Sequence, residues 1–91
     1  MYQIVFNNSF KKDLKRLERR MIDRNLLNKA LTLFIEEGNV PEIYKPHKLS
    51  GTYFGFWECH IRPDWLLIYE VDEQEKLVIL IRTGTHADLF K

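Results

Sequence analysis

Residues 52–82 decide the fold of this chain, and they run TYFGFWECHI, RPD, WLLIYEV, DEQE and KLVILIR in succession. The three longer segments, at residues 52–61, 65–71 and 76–82, are rich in the aromatic and β-branched side chains that favour β-strands. The connecting segments RPD and DEQE are short, and short connections join strands that are antiparallel neighbours. These residues therefore predict a three-stranded antiparallel meander.

The first half of the chain predicts a short strand followed by two amphipathic helices. Residues 2–6 alternate weakly between polar and apolar side chains, as a strand does. Apolar side chains at helical spacing predict one helix over residues 9–21 and a second that Asp23 caps and Gly38 ends. Because each helix has one apolar stripe, a sheet must cover it. We therefore expect residues 1–91 to form a single α+β domain: an N-terminal strand and a two-helix hairpin packed on the antiparallel meander, with a short C-terminal tail.

Charge and composition narrow the class of protein. The net charge is only +1, which is weak support for a nucleic-acid partner because phosphate affinity usually comes from an excess of basic residues. Seven basic residues are concentrated in residues 11–24, so the chain can carry one basic face or simply a solvated helix surface. There is no signal-peptide pattern and no apolar run near the roughly 18 residues of a membrane span. The single Cys59 permits no internal disulfide, so we expect a cytoplasmic protein with no membrane partner.

All three histidines, His47, His60 and His86, lie in the last half of the chain. In a meander, the first strand ends, the second begins and the third ends at the same edge, so His60, Asp64, Arg82 and His86 should meet there. Histidine can act as an acid or a base near neutral pH, and arginine presents a planar fork to phosphate oxygens. This set provides what metal-free RNA cleavage needs: a base for the 2′-hydroxyl, an acid for the leaving 5′-oxygen and a cation for the phosphate.

The turns of the meander decide which face of the sheet these side chains share. If a two-residue loop joins the second and third strands, Trp65 faces Arg82 and Leu67 faces Leu80 across the ladder. His60 joins the face of Trp65 and Arg82 if the first turn uses four residues, and lies on the other face if that turn uses three. Both alternatives are open on the sequence alone.

Further residues are candidates for binding a substrate. Lys45 and Lys48 flank His47 in a loop predicted at residues 39–51 and favour phosphate contacts. The rings of Trp65 and Phe90 could stack on bases, an interaction of about 1–3 kcal/mol per base. Each also has a simpler structural interpretation, as a loop surface residue, a core ring or part of an exposed tail.

A metal site is the weaker interpretation of this cluster. His60, Asp64 and His86 carry the right ligand atoms for zinc, but standard ligand spacing is absent and Arg82 would repel a cation. We therefore expect neither a metal nor another cofactor.

Three stretches resemble the YafQ group of RelE-superfamily toxins: HKLSG at residues 47–51, HIRPDWLLIY at 60–69 and RTGTHADLF at 82–90. The resemblance covers nearly the whole chain in length and element order. It implies a fold of two helices on an antiparallel sheet, cleavage of mRNA in the ribosomal A site to a cyclic phosphate and a free 5′-hydroxyl, and neutralisation by a cognate antitoxin. By position, the functional residues it implies are His47, His60, Asp64, Arg82, His86 and Phe90, with Trp65 shaping the site.

The same resemblance implies a division of roles. His86 is expected to be the general acid, while His60, oriented or charged by Asp64, and His47 are candidate bases or phosphate ligands. Arg82 is expected to stabilise the pentacovalent phosphate.

One departure and two rival functions remain open. Relatives usually carry Lys or Arg in the stretch where this chain has YFGFW at residues 53–57; the aromatic residues would weaken ribosome binding, serve the core or bind an antitoxin helix. The rivals are a RelE-fold binding module that inhibits a cellular partner without cleaving RNA, and a ribosome-independent ribonuclease. No DNA-reading motif is present, so any operator contact is expected to be auxiliary, through the antitoxin complex.

Overall fold

The computed structural model describes residues 1–90, and its centre is a five-stranded sheet with two helices on one face. The elements are β1 (Gln3–Phe6), α1 (Asn8–Arg19), α2 (Arg24–Glu37), β2 (His47–Lys48), β3 (Trp57–Arg62), β4 (Trp65–Asp72), β5 (Leu77–Gly84) and α3 (His86–Leu89). The strand order is β1-β5-β4-β3-β2, in which β1 runs parallel to β5 and the other pairs are antiparallel. The predicted α+β class and the meander of β3, β4 and β5 are confirmed.

Capping residues set the bounds of the second helix as predicted. The Asp23 carboxylate accepts a hydrogen bond from the Asn25 backbone N–H at 3.0 Å, and Gly38 ends the helix in the left-handed conformation with φ of 78°. A side chain at Gly38 would also collide with the ring of Tyr2, whose nearest atom lies 2.3 Å from the Cβ position. No helix within residues 1–90 is long and apolar enough to cross a membrane.

The main core lies between the sheet and the two helices. Both α1 and α2 turn their apolar stripes toward it, and the central strand supplies every second side chain. Its buried members include Phe10, Leu17, Leu27, Ala30, Phe34, Cys59, Trp65, Leu67, Tyr69, Val78 and Leu80.

A second, smaller cluster covers part of the opposite face of the sheet. Leu66 and Ile68 of β4 are buried there under Leu89 of α3, with Tyr53 and Phe56 at the margin. Strand β4 is therefore buried on both faces, which explains why its sequence WLLIY shows no polar alternation. The part of this face that α3 leaves open carries the histidines.

The register between β4 and β5 differs from the prediction. The loop between these strands contains four residues rather than two, and β5 carries a bulge between Leu80 and Arg82. The predicted pairs of Trp65 with Arg82 and of Leu67 with Leu80 are therefore wrong. The observed pairs are Ile68 with Arg82, Leu67 with Thr83 and Tyr69 with Leu80. The Arg82 side chain consequently leaves the sheet on the face opposite the helices, while the Trp65 side chain packs on the face that the helices cover.

The first strand of the meander also begins and ends differently from the prediction. Gly51 and Gly55 have positive φ angles of 71° and 91°, so residues 51–56 form turns and β3 begins only at Trp57. The turn to β4 has two residues, with a bulge between His60 and Arg62. Neither predicted turn length is correct, but the bulge places His60 opposite Leu66, on the face that also carries Arg82.

Helix α1 completes the outer edge of β5 where β1 stops. The pairing of β1 with β5 ends at Phe6 and Leu80, and the next backbone groups of β5 are bonded by side chains of α1. The Ser9 hydroxyl donates to the Ile81 carbonyl at 2.6 Å, and the Asp13 carboxylate accepts from the Thr83 N–H at 3.1 Å. The backbone groups along this strand edge are thereby hydrogen-bonded without another strand.

Candidate active site

Three histidine rings form a row along the open face of the sheet. His47 comes from β2, His60 from β3 and His86 from the first turn of α3. The ring centroids are 6.4 Å apart between His47 and His60, and 6.1 Å apart between His60 and His86. The meander therefore brings together side chains that are separated by up to 39 positions in the sequence.

Asp64 holds the third histidine rather than the second. Its Oδ1 accepts the backbone N–H of His86 at 3.0 Å and lies 2.9 Å from Nδ1 of the same residue. The backbone hydrogen bond first, and the ring second, hold the pKa of Asp64 below its usual value. The prediction that Asp64 orients His60 is wrong, because His60 Nδ1 lies instead 3.3 Å from the Pro63 carbonyl oxygen. Asp64 fixes His86 with Nε2 as the nitrogen available to a substrate.

Glu58 was not recognised from the sequence, although it lies at the centre of the row. This carboxyl group is 5% exposed, and its Oε1 lies 3.2 Å from His47 Nε2 and 3.7 Å from His60 Nε2. A sequence signal was present, since alternate residues of a strand share a face and Glu58 precedes His60 by two. Strand pairing adds His47, which faces Glu58 across the ladder.

Backbone carbonyl groups orient both imidazole rings of this trio. His47 Nδ1 lies 2.9 Å from the Lys45 carbonyl oxygen, and His60 Nδ1 lies 3.3 Å from the Pro63 carbonyl oxygen. Because a carbonyl oxygen only accepts, Nδ1 is the donor in both contacts, and Nε2 of each ring faces the Glu58 carboxyl group. The trio therefore places two imidazoles and one carboxyl group in contact at the open face.

Arg82 is fixed by the buried carboxylate of Asp13, a residue that was not predicted from the sequence. Asp13 is 3% exposed; it accepts from Arg82 Nε at 2.5 Å and from Arg82 Nη2 at 3.2 Å. The hydrogen bond to Asp13 raises the pKa of Arg82, so the guanidinium stays charged. Asp13 stands three residues after Phe10 and four before Leu17, which is a core position of the helix. An acid at an apolar position was the available signal.

Aromatic rings connect the arginine to the histidine row. The Tyr53 hydroxyl lies 3.3 Å from Arg82 Nη1, and the Tyr53 ring meets Phe90 edge-on with centroids 5.8 Å apart. Phe90 in turn lies 6.2 Å from the ring of His86 and is 45% exposed. The site therefore curves around the covered part of the sheet, from the three histidines through Phe90 and Tyr53 to Arg82.

The remaining sequence candidates take different positions. Trp65 is 6% exposed and donates from Nε1 to the Thr83 hydroxyl at 2.9 Å, so its ring belongs to the core and stacking on a base is not open to it. Lys48 lies over the ring of Trp57, with Nζ 5.6 Å from the centroid. The exposed Lys45 lies beside the cleft that also contains His60. Within the described part of the chain, no three His, Cys, Asp or Glu side chains are arranged to bind a metal ion.

The expected C-terminal tail is a capped helical turn through Leu89, whereas Lys91 lies outside the described residues. Thr85 and Asp88 form a capping box. Arg20, the residue that follows α1, donates hydrogen bonds from Nη1 and Nη2 to the Asp88 carboxylate at 2.9 and 3.2 Å. These hydrogen bonds, first from Arg20 and then from the Thr85 N–H, hold the pKa of Asp88 well below its usual range. The turn that carries His86 is thus anchored to the body of the protein.

Comparison with known proteins assigns this fold and site to a class of small toxins. The family model described as a bacterial toxin of type II toxin–antitoxin systems, YafQ, matches residues 2–91. The mRNA interferase toxin YafQ of Escherichia coli K12 is 40% identical over 88 residues, covering 96% of this chain and 94% of that protein.

Solved structures agree with this match. The crystal structure of YafQ from E. coli BL21(DE3) superimposes with a TM-score of 0.88 at 37% identity, and YafQ in the E. coli DinJ–YafQ complex with 0.86 at 38%, each over the whole of both chains. The chain therefore belongs to the YafQ family of type II toxins, as the resemblance of the three sequence stretches predicted.

Proposed function

We propose that this chain is an mRNA interferase: a toxin that cleaves mRNA in the ribosomal A site by metal-free acid–base catalysis. The observation that carries the proposal is the row of three carboxylate-supported histidines beside a fixed arginine on one open face. The name of the E. coli relatives, mRNA interferase toxin, supports the substrate class. We treat residues 1–91 as one toxin domain, with His47, His60, Asp64, Arg82 and His86 as catalytic residues and Lys45, Lys48 and Phe90 as RNA contacts.

His86 is the general acid in this proposal. Its Nδ1 lies 2.9 Å from the Asp64 carboxylate, which fixes the ring and directs Nε2 outward. Packing of α3 on the sheet and its anchor to Arg20 keep the ring in place. A positioned acid of this kind typically contributes about 10²–10⁴-fold to a rate.

The base comes from the trio of His47, Glu58 and His60. One of the two imidazoles accepts the proton of the 2′-hydroxyl, and the carboxyl group of Glu58, within 3.7 Å of Nε2 of both rings, holds them in position. Glu58 is the least exposed of the three, so the imidazoles are the groups that meet the hydroxyl and Glu58 supports them.

The reaction then balances without a cofactor. The base removes the 2′-hydroxyl proton, O2′ attacks phosphorus and forms the new P–O bond, and a pentacovalent phosphate results. The P–O5′ bond breaks as His86 gives its proton to the leaving oxygen, which leaves a 2′,3′-cyclic phosphate and a 5′-hydroxyl. Arg82 neutralises the developing negative charge, since Asp13 and Tyr53 hold its fork in one orientation.

A dependence on the ribosome agrees with the charge of the chain. The net charge of +1 gives little affinity for naked RNA, so the ribosome would supply the local concentration and the extended conformation of the codon. The basic residues of α1 are available for contacts with ribosomal RNA. We further propose that a cognate antitoxin neutralises the toxin and that operator DNA is contacted mainly through the antitoxin, in keeping with the DinJ–YafQ complex of the relative.

The test compares wild type with His86→Ala in a purified translation system and follows a reporter mRNA by primer extension. For the wild type we expect discrete cuts that require ribosomes and leave 5′-hydroxyl ends. The cleavage rate of His86→Ala should be at least a hundredfold lower. Glu36→Gln, an exposed change on α2 outside the site and outside the basic residues of α1, serves as the control. Cuts on naked RNA at the same rate would favour a ribosome-independent ribonuclease. Arrest of translation without cuts, retained by His86→Ala, would favour a non-catalytic inhibitor.

A further inference from the structure

A cleft beside the proposed catalytic row has the construction of a nucleobase site. It has a volume of about 290 Å³ and is lined by Ser50, Thr52, Tyr53, Leu89 and Phe90. These residues belong to the turn before β3 and to the C-terminal helical turn. None of them except Phe90 was a candidate on the sequence alone, because the cleft exists only when these two segments pack together.

The cleft is directly continuous with the groups that would hold the scissile phosphate. The Tyr53 hydroxyl lies 3.3 Å from Arg82 Nη1, and the Phe90 ring centroid lies 6.2 Å from that of His86. The cleft therefore lies within reach of a base whose neighbouring phosphate contacts Arg82 or His86.

The walls of the cleft combine stacking surface with hydrogen-bonding groups. Tyr53 and Phe90 meet at 87°, so one ring offers a face to a base while the other forms a perpendicular wall. Unstacked bases of single-stranded RNA are commonly bound on aromatic rings in this way. The exposed hydroxyls of Ser50 and Thr52 both donate and accept, which allows them to distinguish the edge of one base from that of another.

The frame of the cleft is rigid enough for selection. Residues 51–53 form a 3-10 turn in which the Phe54 N–H donates to the Gly51 carbonyl at 3.0 Å. Leu89, on the opposite side, is buried against Leu66 and Ile68 of the central strand. A preorganised pocket gains discrimination because the wrong base leaves its polar groups unpaired.

We propose that this cleft binds one unstacked nucleobase of the codon next to the cut, and that Thr52, Ser50 and Tyr53 set which base is accepted. The inference rests on the proposed function. It also gives a use to the aromatic stretch at residues 53–57, in which Tyr53 contributes ring and hydroxyl rather than positive charge.

The experiment measures cleavage on ribosomes programmed with mRNAs that differ only in the bases of the A-site codon. Thr52→Val and Tyr53→Phe each remove one hydroxyl while preserving the shape of the side chain. We expect the ratio of cleavage between the preferred base and the others to change about tenfold in at least one variant, in line with one lost base contact. Thr32→Val, the same chemical change at an exposed position of α2, should keep the wild-type ratio.

Two results would overturn the inference. Unchanged base ratios in both variants, with normal folding by circular dichroism, would leave the cleft with no role in selection. Unchanged ratios together with weaker inhibition by the antitoxin would assign the cleft to the protein partner instead. A wild type that makes no ribosome-dependent cuts would refute the proposed function, which is a different outcome from wild-type cuts whose base ratios the variants leave unchanged.

Discussion

Replacing Asp13 by Ala should destabilise the protein more than any change at the exposed surface. The carboxylate accepts four hydrogen bonds, two from Arg82, one from the Thr83 N–H and one from Arg16. Removing one partner of a buried pair typically costs about 3–5 kcal/mol. Because the Arg82 side chain is 27% exposed, we expect the lower end, about 3 kcal/mol, which corresponds to roughly 12–24 °C in Tm for a domain of this size.

The control is Arg16→Ala, which removes an exposed partner of the same carboxylate. The Arg16 side chain is 39% exposed, and an exposed ion pair contributes about 0–1 kcal/mol. Urea unfolding followed by circular dichroism would measure both variants. The expected order is a large loss of stability for Asp13→Ala and a small one for Arg16→Ala.

A double-mutant cycle tests whether the stability lost in Asp13→Ala comes from the broken contact with Arg82. If Asp13 acts by holding the guanidinium, Asp13→Ala and Arg82→Ala should be strongly non-additive, both in the free energy of unfolding and in the cleavage rate. Additive effects within about 0.5 kcal/mol, or equal losses for Asp13→Ala and Arg16→Ala, would refute this account of the buried pair.

Three further predictions concern the anchor of the C-terminal turn, the general acid and a helix end. Arg20→Ala should lower Tm at neutral pH; since Arg20 lowers the pKa of Asp88, the difference from wild type should shrink as pH falls below about 4, the value of an unfolded aspartate, and a constant difference would contradict this. Asp64→Asn should reduce single-turnover cleavage about ten- to hundredfold, because a neutral amide holds the His86 ring less firmly than the carboxylate does; an unchanged rate would argue against the pairing. Gly38→Ala, at a φ of 78° and with Cβ only 2.3 Å from a tyrosine ring, should cost more than about 1 kcal/mol in urea unfolding, whereas a neutral effect would show that the ring moves freely.

Local chemistry made the helices and the meander predictable. Asp23 and Gly38 have capping roles that depend on their own backbone neighbours, and the short turns of the meander force neighbouring strands to be antiparallel. The convergence of His60, Asp64 and His86 followed from this topology, without knowledge of any side-chain contact. These features depend on interactions within a few residues, which the sequence displays directly.

The strand register and the residues that hold the site side chains in place could not be predicted from the sequence. The bulges after His60 and before Arg82 are selected by the packing of both sheet faces, and a shift of one residue exchanges the two faces. The partnership of Asp13 with Arg82 spans 69 positions and arises because β1 is too short to cover the edge of β5. Such contacts follow from the assembled layers and have no local signature beyond a charged residue at an apolar position.

The position of β5 in the sheet determines when the chain can fold during its synthesis. This strand is the last of the five in chain order, yet it lies between β1 and β4 in the sheet. Until it leaves the translating ribosome, β1 has no hydrogen-bonding neighbour and Arg82, His86 and Phe90 are absent from the site. Nascent chains arrested before residue 77 should therefore remain sensitive to protease, and stable protection would contradict this order of folding. A nascent chain thus has no complete site until β5 has been made and has paired with β1 and β4.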